Sequence, residues 1–60
     1  MTIYLNGEQV SNKEAFAYFV GRNFSCDIVE LKAIFEKALT AKGEDQRDLL
    51  LNDGIEIILN

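Results

Sequence analysis

The sequence has no histidine, no proline and no tryptophan, one cysteine, and only six basic residues against ten acidic ones. Each shortage closes a route. Without histidine the commonest general base is missing, and neither Ser-His nor Cys-His nucleophile pairs can be built. Zinc sites of the usual Cys/His kind are equally out of reach. Cys26 stands alone and cannot form an internal disulfide, whereas small secreted domains usually carry several. The formal charge of −4 repels nucleic-acid backbones and anionic membrane surfaces, so neither is expected as a direct partner. No apolar run approaches the roughly 20 residues that span a bilayer. Thr2 to Gln9 lacks both the basic start and the long apolar stretch of a secretion signal. The expected location is reducing and cytoplasmic.

What the chain does contain suits one small folded unit. Its 60 residues, 48% of them hydrophobic, read as a single domain, 1–60, far from the composition of disordered chains. A domain of this size buries about 60% of the surface its unfolded form exposes. That leaves little material for a deep catalytic cleft beside a core.

The opening Thr2-Ile3-Tyr4-Leu5, Asn6-Gly7, Glu8-Gln9-Val10 reads as a β-hairpin, because Asn-Gly supplies two residues that tolerate the positive φ of a type I′ turn. In that register Ile3, Leu5 and Val10 share one face, with Tyr4 and Gln9 on the other. Ser11 with Glu14 forms a capping box for a helix over Asn12 to Val20. It carries Ala15, Phe16, Phe19 and Val20 at helical spacing and ends at Gly21. Phe24, in the connector that follows, is expected to fold back on the core. Asp27 and Glu30 open a second helix of about 15 residues. Its stripe of Ile28, Leu31, Ile34, Phe35, Ala38 and Leu39 faces inward, and Gly43 stops it.

Two readings compete for the C-terminal third. As a hairpin, Asn52-Asp53-Gly54 is a three-residue loop that sets Leu49, Leu51, Ile55, Ile57 and Leu59 on one face. Leu50 and Ile58 then fall on the opposite face. Otherwise Glu44 to Leu51 is a short third helix followed by one strand. Both readings make Ile55 to Leu59 a strand, and the hairpin is favoured. The expected class is α+β: a small antiparallel sheet in the order hairpin, two helices, hairpin (ββααββ), with the two helices packed on one face. The N- and C-terminal strands can lie side by side in its middle.

Few residues point to chemistry. Cys26 precedes a helix start, where thiols can be reactive, but the plainer reading is a small residue in a tight connector. The acids Glu44, Asp45, Asp48, Asp53 and Glu56 crowd the C-terminal third, yet their spacing matches no calcium loop. The glycines are scattered and form no phosphate cradle. No catalytic, metal or cofactor-binding residue is therefore assigned, and no enzymatic activity is expected.

Surface is what remains. Tyr4, Leu50 and Ile58 fall on the sheet face away from the core stripe, Tyr18 lies off the main face of the first helix, and Phe24 sits in a connector. Apolar groups left outside a small core are the material of interfaces. The expected function is a non-enzymatic acidic interaction module, self-associating (as a homodimer) or docking on a partner protein through its sheet face. The alternative is an acidic inhibitor or nucleic-acid mimic that sets the acidic cluster into a basic site on a nuclease or DNA-binding protein.

Three segments, Tyr4-Leu5-Asn6-Gly7-Glu8-Gln9-Val10, Leu31 to Glu36 and Ile55-Glu56-Ile57-Ile58-Leu59, resemble parts of the barstar family of ribonuclease inhibitors. That resemblance implies an acidic helix and loop presented to a basic nuclease. The family's aromatic-then-acid pair would fall on Phe35 and Glu36, yet helical periodicity turns Phe35 inward. Lys32 stands where an acid is expected, and the chain is too short for the family's middle elements, so membership is not assigned.

Overall fold

Asn6 and Gly7, with φ of 51° and 87°, make the tight turn that joins β1 (Thr2–Leu5) to β2 (Glu8–Val10). The computed structural model describes all residues 1–60. The strand register is the expected one, Ile3 opposite Val10 and Leu5 opposite Glu8. α1 (Asn12–Arg22) starts at the Ser11–Glu14 capping box: the Glu14 N–H donates to Ser11 Oγ at 3.2 Å, and the Ser11 N–H donates to Glu14 Oε1 at 3.3 Å. α2 (Ile28–Ala38) starts at Asp27, which accepts from the Val29 N–H at 2.9 Å. α3 (Glu44–Leu51) and β3 (Ile55–Ile58) complete the chain.

β3 pairs antiparallel with β1, so the sheet order is β2-β1-β3 with the N-terminal strand in the centre. The α+β class with an antiparallel sheet and helices on one face holds. The C-terminal hairpin does not: Glu44 to Leu51 is helical, and the strand complement is ββαααβ. The physical reason lies in Glu-Asp-Gln-Arg-Asp-Leu-Leu-Leu itself. It has no β-branched residue and three leucines, which favour helix, and its first turn is acidic, which suits the positive end of the helix dipole. Arg47 adds a tertiary reason. Its guanidinium donates to the carbonyl oxygens of Ala38 (3.1 Å), Thr40 and Ala41 (3.5 Å), satisfying groups left free where α2 ends.

The core gathers Ile3, Ala15, Phe19, Leu31, Phe35, Ala38, Leu50, Ile55 and Ile57. Phe35 is its aromatic hub, edge-on to Phe16 (centroids 5.4 Å apart) and tilted to Phe19 (6.4 Å). α1 packs on β1, α3 on β3, and α2 bridges α1 and α3.

Two glycines differ from expectation. α1 runs through Gly21 and is capped at Asn23, whose Nδ2 donates to the Phe19 carbonyl at 2.8 Å. A methyl group at Gly21 would meet nothing within 4 Å. Gly21→Ala should therefore stabilise the fold by about 0.5–1 kcal/mol, the usual helix-interior difference. Thermal denaturation should show a melting point several degrees higher, and a lower one would disprove the assignment of Gly21 to the helix. Gly43, in turn, does not close α2, which ends at Ala38. It is the buried N-cap of α3, pressed against the backbone of Lys37 and Ala38.

Candidate functional site

With the core assigned, the surface divides into three regions. The first is the sheet face that no helix covers. Strand alternation places Thr2, Tyr4, Gln9, Glu56 and Ile58 there, with Tyr4 central and paired across the strands with Gln9 and Glu56. Tyr4 is half-buried and Ile58 exposed. Leu50, expected on this face, is a correction: it lies on α3 with no exposed surface, inside the core. The helical phase of residues 44–51 turns it inward and leaves Leu49 and Leu51 outside.

The second region is the α1–α2 corner. Phe24 does not fold back on the core. It is 85% exposed, followed by Ile28 at 57% and Val29 at 71%. These are the three most exposed large apolar residues of the chain. Periodicity alone turns Ile28 inward, but the Asp27 cap makes Ile28 and Val29 the first two residues of α2. A stripe residue in the first turn overhangs the core instead of entering it, and the cap at Asp27 was the signal for that. Tyr18 is half-buried and packs against the core, so it contributes little free surface.

The third region is acidic. Glu44, Asp45 and Asp48 are exposed on α3, and Glu56 is exposed on the open sheet face. Asp53 is separate from them: it accepts from Asn23 Nδ2 at 2.9 Å and stands 3.7 Å from Arg22 Nε, fastening the end of α1 to the α3–β3 turn. The fold therefore does not bring the five acids into one patch. No three of the Cys, Asp and Glu side chains converge as a metal-binding group, and Cys26 is an exposed free thiol. No helix is long and apolar enough to cross a membrane.

A single concavity lies between α1 and α2, lined by Asn12, Lys13 and Phe16 on one side and Lys32, Phe35, Glu36 and Leu39 on the other, with a volume of about 260 Å³.

Comparison with known protein families, with curated proteins and with solved structures finds no match. The partial likeness to the barstar family rests on the three quoted segments alone, and one of its two key positions, Phe35, is buried.

Proposed function

We propose that this chain is a non-enzymatic interaction module that acts through exposed apolar surface, with self-association as its simplest form. One observation carries the reading: Phe24, Ile28 and Val29, within six residues of one another where α1 passes into α2, remain largely in water. Leaving an aromatic ring almost wholly solvated forgoes burial energy on the order of 2 kcal/mol, and a 60-residue domain has little stability in reserve. Clustered exposure of this kind is typical of surfaces that are covered in a complex. The open sheet face, with Tyr4 and Ile58, is the second apolar region such a module would use. The lack of histidine supports the non-enzymatic part of the reading.

Sedimentation of the purified chain from micromolar to millimolar concentration tests it. Reversible association is expected in the native chain. Phe24→Asp should abolish it without altering the circular dichroism or the melting temperature, because Phe24 is 85% exposed. Ile58→Asp reports separately on the sheet face. A strict monomer over the whole range would sink the self-association reading.

The reading as an acidic inhibitor or mimic has weaker support. Its acids divide between α3 and the sheet face, and Asp53 is held by Asn23 and Arg22. Salt separates the two: apolar association survives 1 M salt, whereas contacts between opposed charges weaken steeply.

A further inference from the structure

We infer that the groove between α1 and α2 binds a small organic acid: an apolar body of one or two rings carrying a single carboxylate. This goes beyond the interaction reading, since the groove and the Phe24 corner share no residue.

The floor is apolar and rigid. Phe16 and Phe35 meet edge-on with their planes 63° apart, and Leu39 is the third apolar lining residue. Phe35 is fixed in the core and Phe16 packs against it, so the floor exists before any ligand arrives. That matters because a preformed surface adds little ordering cost to binding.

The rim is basic in an otherwise acidic molecule. Of the six basic residues, Arg22 pairs with Asp53 and Arg47 holds the carbonyls after α2. Lys13 and Lys32 have no carboxylate within ion-pair distance, and they line the groove from different helices. Glu36, four residues beyond Lys32, also lines the groove without forming an ion pair to it. Lys13, Lys32 and Glu36 among the lining residues sum to one net positive charge beside the groove. One negative charge on the ligand balances it, and a dianion would meet Glu36 uncompensated. The volume of about 260 Å³ is below the range usual for drug-sized ligands, which suits a ring or two. An acid of that size, on an open surface, should bind with a dissociation constant on the order of 1 mM.

The probe is 2-naphthoate, titrated into the labelled full chain and followed by amide chemical shifts. Shifts should centre on Asn12, Lys13, Lys32, Glu36 and Leu39. Neutral 2-naphthamide should bind about fivefold more weakly, and Lys13→Gln with Lys32→Gln should lower naphthoate affinity to that same level. These exposed lysines contribute nothing to the core, so the variants keep the fold. Glu36→Gln should tighten naphthoate binding about twofold. The inference is overturned by an absence of shifts at 10 mM probe, by shifts centred on Phe24, Ile28 and Val29, or by equal affinity for acid and amide.

Discussion

Gly43→Ala should be among the most damaging single-methyl changes available to this chain, lowering stability by about 3 kcal/mol. The backbone at Gly43 has φ −92°, which any residue adopts, so conformational freedom is not the issue. Space is. A Cβ there would overlap the carbonyl of Lys37 and lie 2.9 Å from the Ala38 Cα. These are backbone atoms at the end of α2, and they cannot swing aside as a side chain would. Relief would require α2 and α3 to separate, which would strip the Arg47 guanidinium from the carbonyls of Ala38 and Thr40. It would also open the core at Ala38 and Leu50. A 60-residue domain has about 3–9 kcal/mol in total, so the variant should lose between a third and all of its stability. Urea denaturation followed by circular dichroism measures the loss. A change under 1 kcal/mol would mean that α2 and α3 are not packed as closely as described.

Gly43 also marks where sequence reasoning stops. Local signals were legible: Asn6-Gly7 gave the hairpin register, Ser11 and Glu14 the start of α1, and Asp27 the start of α2. Each is decided by a side chain acting on backbone within four residues, so each can be read from the order of residues alone. The role of Gly43 depends on how near one helix comes to the next, which no local pattern records. The same holds for Arg47, whose partners lie on the segment that ends α2. Its fork of donors explains why residues 44–51 close as a helix, and that explanation appears only when α2 is already in place. For the surface, the division is similar. The open sheet face with Tyr4 and Ile58 follows from strand alternation, whereas the exposure of Phe24, Ile28 and Val29 follows from how far the α1–α2 corner overhangs the core.

The three consecutive leucines of α3 provide the sharpest test of that helix. Leu50 has no exposed surface, while Leu49 and Leu51 are 47% and 51% exposed. Leu50→Ala should cost about 3 kcal/mol, since it removes buried methyl groups and leaves a cavity in the core. Leu49→Ala and Leu51→Ala should each change stability by less than about 1 kcal/mol. The burial lost there is partial, and alanine is the better helix former. A strand would reverse the pattern. Alternation would bury Leu49 and Leu51 together and expose Leu50, so the outer two substitutions would be damaging and the middle one mild. Urea midpoints for the three variants distinguish the two arrangements without any structure determination. The same series separates core from interface at Leu50. If that side chain served association, Leu50→Ala would shift the sedimentation profile and leave the monomer's stability intact. Buried as it is in the core cluster that includes Ile55 and Ala38, it should instead lower the midpoint equally at every protein concentration at which the chain is monomeric.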